Sequence, residues 1–169
     1  MVRLHALELV PDEAGRSALL DDWQALRDAG LPSQLDHRGA SNAPHVTVVS
    51  APLLPQEALD VAEVRLGGLL PVAARLSGLL LLGGERVTIA RAVDVDDTVL
   101  RRVLAVRAQV PDRHPAGWLP HVTLARRVLR ADVPRALEVL AHGGGELVLA
   151  GLRRWDPELG AVTTLVDAG

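Results

Sequence analysis

At 169 residues, 49% of them apolar, the chain is long enough to bury a core and too hydrophobic to remain disordered. A net charge of −3 excludes a broad basic surface for long nucleic acid but leaves room for a small nucleotide or a single RNA end. The lack of cysteine excludes disulfides, thiolate nucleophiles and zinc–thiolate centres. Phe and Tyr are also absent, so the core must be Leu, Val and Ala with three Trp as its large anchors. Lys is absent too, which reads as composition bias, although the arginines that supply every positive side chain suit phosphate oxygens. The N-terminal stretch Met1 to Glu8 has no long uncharged apolar run and is not a signal peptide. The apolar segment from Leu66 to Leu82 is interrupted by Pro71, Arg75 and several glycines, so no membrane span is expected. The expected location is the cytoplasm.

In chain order, Leu4 to Val10 reads as a strand. Pro11-Asp12 opens a helix to about Ala29, with Leu19, Trp23 and Leu26 on one face and Gly30 and Pro32 as its stop. A polar loop from Ser33 to Asn42, including Ala40, leads to a strand from Val46 to Ser50. Pro55 starts a second helix in which Leu59, Ala62 and Leu66 share a face. After Gly67-Gly68 come an extended stretch from Val72 to Leu82, a hairpin turn at Gly83-Gly84 and a strand from Arg86 to Val93. Asp96 or Asp97 caps a third helix to about Val110.

The second half repeats the first. A loop from Pro111 to Pro120 leads to a strand from His121 to Val128, a helix from Ala131 to Ala141 and a glycine stop at Gly143-Gly144-Gly145. A strand from Leu147 to Trp155, a turn at Asp156-Pro157 and a strand from Ala161 to Val166 complete it. Each half reads strand, helix, strand, turn, strand, with Gly78 and Gly151 at matching places. No linker divides them, so the expectation is one bilobal α+β domain over residues 1–169, its lobes related by a pseudo-twofold.

The repeat is sharpest at Pro44-His45-Val46-Thr47 and Pro120-His121-Val122-Thr123. Residues two apart on a strand share a face, so each copy sets an imidazole beside a hydroxyl, with valine turned to the core. Two neutral-pH proton carriers and two small hydroxyls suit acid–base chemistry on a phosphate, without metal, cofactor or covalent intermediate.

This duplicated His-x-Thr pattern resembles the 2H (two-histidine) phosphoesterase superfamily. Trp118-Leu119-Pro120-His121-Val122-Thr123-Leu124-Ala125-Arg126-Arg127 is similar to the second motif of its 2′-5′ RNA ligase-like branch. Val48-Val49-Ser50-Ala51-Pro52 lacks the Phe-Leu-Gly often seen after the first motif. The resemblance implies antiparallel sheets lining a cleft with helices outside. It implies cleavage of 2′,3′-cyclic phosphates on RNA ends or nucleotides, or 2′-5′ ligation, with His121 as base and His45 as acid. A binding module without turnover, or a small-molecule cyclic nucleotide phosphodiesterase, are the alternatives. The expected partner is a small nucleotide or RNA end, bound by a monomer.

Thr47 and Thr123 are the expected donors to phosphate oxygens. Strict alternation from His121 puts Arg127 on the catalytic face, whereas the family pattern gives the phosphate to Arg126. A bulge reconciles the two, and Arg126 is preferred. Trp118 is a candidate for stacking a base, or else a core anchor. His5 is a further candidate for the cleft floor, while His37, Arg38 and His114 read as solvated loop residues. His142-Gly143-Gly144-Gly145 resembles an esterase oxyanion motif, but no G-x-S-x-G accompanies it, so the glycines read as a helix stop. Asp94-Val95-Asp96-Asp97 reads as a helix cap rather than a cation site.

Overall fold

Among the described residues, seven strands and four helices form where the period-2 and period-3.6 patterns lie. In order they are β1 His5–Pro11, α1 Glu13–Asp28, β2 Val46–Ala51, α2 Gln56–Arg65, β3 Val72–Gly83 and β4 Arg86–Val95. Then come α3 Asp97–Ala108, β5 His121–Leu129, α4 Val133–Val139, β6 Gly145–Asp156 and β7 Ala161–Asp167. The computed structural model describes residues 2–39 and 41–169, so Met1 of the N-terminal stretch and Ala40 of the polar loop lie outside the described residues. Asp12 and Asp96 start their helices by accepting from the N–H groups of Gly15 and Val99. α4 is shorter than expected because a 3-10 turn over Arg130–Asp132 takes its first residues.

The strands form one antiparallel sheet in the order β2-β1-β6-β3-β4-β5, with β7 paired to β6. Exchanging β1 with β4, β2 with β5 and β3 with β6 returns the same order read from the other end. The repeating unit is therefore strand-helix-strand-helix-strand beginning at β1 and β4, one helix earlier than the motif strands mark it. The halves also trade their last strands. β6 pairs with β1 of the first half, while β3 pairs with β4 of the second. The tight turn at Gly83, whose φ of +126° suits glycine, holds β3 against β4 and enforces that exchange.

Packing follows the same crossed logic. α1 precedes β2 but packs on β1, β6 and β5, and α3 precedes β5 but packs on β2. Trp23, Leu19 and Leu26 of α1 are fully buried, as are Leu7 and Leu9 of β1, and they join Val48, Ile89, Leu124 and Leu149 in one core. Two buried arginines brace it. Arg91 is 1% exposed, and its Nε donates to Asp22 at 2.8 Å. Arg91 also donates to the carbonyls of Leu140 and His142, and His142 pairs with Asp22 as well. His142 is thus part of a structural polar cluster around the Arg91–Asp22 ion pair. Gly144, at φ +80° against the Leu76 carbonyl, is a turn residue, as read from the sequence.

Candidate active site

Each motif strand gains one residue directly after its threonine. Glu8 of β1 faces Thr47 while the preceding Leu7 faces Val49, so Val48 is extra. Ala90 of β4 faces Thr123 while Ile89 faces Ala125, so Leu124 is extra. An inserted residue reverses which side chains share a face. Ser50 and Arg126, not Val49 and Ala125, therefore come to the side of the preceding His and Thr, and both line the cleft. A second irregularity lies between Ala125 and Val128, where Arg127 takes φ +61°. It brings Arg127 to the cleft as well, so both arginines line it.

The histidines are held alike. Nδ1 of His45 lies 2.8 Å from the Ala43 carbonyl, and Nδ1 of His121 lies 2.7 Å from the Leu119 carbonyl. A carbonyl only accepts, so Nδ1 carries hydrogen in each ring and Nε2 is left for chemistry. Two indoles then cross the halves. Trp118 Nε1 donates to the Thr47 carbonyl at 2.9 Å, and Trp23 Nε1 donates to the Thr123 carbonyl at 3.2 Å. The first bond ties the loop before β5 to β2 at the other end of the sheet path, and the second ties α1 to β5.

The cleft has a volume of about 990 Å³ and lies between β1, β2 and the Ser33–Asn42 loop, with arginines on its walls. Glu8, His45, Thr47, Arg126, Arg127 and Arg153 supply most of its chemistry. Thr123 lines a small adjoining recess with His45, Trp23 and Gln34. Half-buried His121 is not among the residues lining either space. Trp118 is also half-buried and packs on the core. His5 does not face the cleft, because Leu4, Ala6 and Glu8 take that side of the strand. It is buried instead, 3.8 Å from Asp156. His37 is exposed at the cleft, and the backbone of His114 pairs with Ser50.

Glu8 and Arg153 escape a reading of the sequence. Arg153 Nε donates to Glu8 at 2.7 Å, and Glu8 lies 3.4 Å from His45 Nε2. The available signal is a lone carboxylate in the apolar run His5 to Val10. Arg107 is also missed. It is buried, and burial, with Arg113 nearby, holds its guanidinium below the ordinary value. It donates to the carbonyls of Val48, Pro115, Ala116 and Gly117, fastening the loop before β5 onto β2.

Among the described residues, one group of side chains has the spacing to hold a cation: His5, Asp156 and Glu158. Asp156 already accepts from the N–H groups of Glu158 and Leu159 and from Arg154, as a turn residue does. No helix among the described residues is long and apolar enough to cross a membrane.

Comparison with known proteins agrees with this architecture. TT0787 of Thermus thermophilus superposes with a TM-score of 0.57 at 20% identity, over 96% of this chain and 95% of that one. Escherichia coli LigT complexed with 3′-AMP gives 0.54 at 11% identity, over 95% and 91%. The same protein complexed with NADP⁺ gives 0.54 at 14%, over 95% and 92%. No curated protein sequence matches significantly. The family profile that matches, over residues 11–165, spans both histidine strands, both crossed tryptophans and the exchanged β3 and β6. The chain belongs to the 2′-5′ RNA ligase superfamily.

Proposed function

We propose that the protein is a metal-independent phosphodiesterase that opens 2′,3′-cyclic phosphates on RNA ends or nucleotides, with 2′-5′ ligation as the same ring opening by a 5′-hydroxyl in place of water. The observation that carries this reading is the matched pinning of the imidazoles, each with Nδ1 on a carbonyl two residues upstream. Two rings fixed in that way offer two Nε2 atoms for proton transfer. His121 takes the proton of the attacking water, and His45 gives one to the departing ribose oxygen. Each transfer is worth on the order of a hundredfold or more. Thr47, Thr123 and Arg126 hold the phosphate oxygens as charge moves onto them. Trp118, half-buried with its N–H donated to the Thr47 carbonyl, is the proposed stacking partner for a base. One chain supplies both histidines, so a monomer suffices.

LigT complexes with 3′-AMP and NADP⁺ favour a small nucleotide as ligand. A binding module without turnover is the second reading, favoured by the position of His121 outside the cleft lining. The deciding experiment offers 2′,3′-cyclic nucleotides and RNA ends with and without chelator, and reads product regiochemistry by mass and NMR. Metal-free turnover supports the enzyme. Binding with no product from any of them leaves the module.

A further inference from the structure

The halves repeat each other's backbone but not each other's charges. Glu8 of β1 stands opposite Thr47 on one side and Arg153 on the other. In the second half the residue opposite Thr123 is Ala90, and opposite Ala90 stands Leu80. A carboxylate and a guanidinium beside the first histidine strand thus become two apolar side chains beside the second.

The charged pair is deeply placed. Glu8 is 6% exposed, and the Arg153 side chain is 12% exposed. Such ions persist in a fold only when tightly paired. Arg153 Nε holds Glu8 Oε2 at 2.7 Å, and an Arg153 Nη donates to the Ser41 carbonyl at 3.2 Å. The other oxygen, Oε1, is left 3.4 Å from Nε2 of His45. That is an ion-pair distance without hydrogen-bond geometry, so Glu8 does not consume the Nε2 hydrogen. Arg153 also lies 3.4 Å from Nδ1 of His45, but the Ala43 carbonyl is nearer at 2.8 Å and keeps that nitrogen a donor. The other charged groups facing this cleft are Arg86, Arg126 and Arg127, with Asp36 and His37 on the loop. The arginines oppose an imidazolium, and the carboxylate of Glu8 offsets them.

We propose that Glu8, oriented by Arg153, is a positioning residue that commits His45 to the proton-donating half of the reaction and leaves His121 the accepting half. This rests on the phosphodiesterase reading. As the ring P–O bond breaks, the Nε2 proton of His45 passes to the ribose oxygen. His121 receives the proton of the water whose oxygen bonds to phosphorus, and both rings reset with solvent.

The test follows hydrolysis of 2′,3′-cyclic AMP from pH 5.5 to 8.5 by the wild type, Glu8→Gln and Glu8→Asp, with bis(4-nitrophenyl) phosphate as a second substrate. Glu8→Gln should lose about tenfold at pH 8 and much less at pH 5.5, where solvent supplies the proton. Glu8→Asp should recover part of the loss. The aryl diester, whose leaving group departs without a proton, should be nearly unaffected, and the pH series alone decides if it is not a substrate. A loss by the same factor at every pH and on both substrates overturns the inference, while wild-type turnover keeps the phosphodiesterase reading. A wild type that hydrolyses neither probe removes both. If Glu8→Gln does not fold, the double variant Glu8→Gln/Arg153→Gln leaves neither charge without its partner and carries the same readout.

Discussion

Arg126 and Arg127 are neighbours that reach the same cleft by different backbone devices. Arg126 arrives because the extra residue Leu124 reverses the alternation, and Arg127 arrives through a left-handed φ. Only the first device is shared with the other half, where the extra Val48 brings Ser50 to the corresponding place. We therefore expect Arg126→Ala to lower kcat/KM for a cyclic nucleotide by about tenfold to a hundredfold, the range for one lost charged contact to phosphate. Arg127→Ala should lower it by less, and both exposed sites should leave the unfolding midpoint unchanged. Steady-state kinetics and denaturant melts check this, and a silent Arg126→Ala refutes it.

At the scale of elements, the loops before the motif strands are fastened by different chemistry. Arg107 grips four carbonyls across the second loop and β2. A lysine cannot reproduce that fork, so Arg107→Lys should cost about 1–3 kcal/mol through buried carbonyls left without donors. The loss should appear in denaturant melts and as faster amide exchange over residues 111–120. The first loop depends on Asp36, which accepts from the Ser33 N–H at 2.9 Å and from Arg27 at 3.1 Å. Those contacts, the backbone bond foremost, hold its carboxyl below the usual 3.8. A depressed value means the stabilisation is present above the unfolded-state value and is lost as pH falls through the folded one. Below about pH 3.8 the Ser33–Asn42 loop should loosen in the wild type, whereas Asp36→Asn should already be loose at pH 6 and respond less to acid. Exchange rates at pH 3 and 6 test the difference.

These elements also show what a sequence exposes of its fold. The strands and helices lie close to where periodicity places them, because each pattern is local. The bulges at Val48 and Leu124 are invisible to alternation, since register belongs to the partner strand as much as to the residue. Glu8 and Arg153 meet only because β1 and β6 are neighbours, a pairing between opposite ends of the chain. The histidines and threonines stood out by duplication. The groups that make one histidine differ from the other did not, because nothing duplicates them.

At the scale of the molecule, the proposed reaction makes His45 and His121 members of one proton-transfer unit. His45→Ala and His121→Ala should each remove most turnover, on the order of a hundredfold or more. The double variant should be little worse than either, because residues acting as a unit are not additive. The wild-type rate should rise and then fall with pH, since one ring must be neutral while the other is protonated. A flat profile from pH 5 to 8 argues against the two histidines as the acid and the base.

The exchange of last strands governs how such a chain is made. During synthesis β1 and β2 leave the ribosome early, but the neighbour that β1 needs on its other edge is β6, more than a hundred residues later. The nascent chain therefore carries an open sheet edge through most of its elongation. A polypeptide released before Gly145 keeps both histidine strands, yet lacks the strand that joins β1 to β3. It would be a target for chaperones and proteases rather than a half-active enzyme.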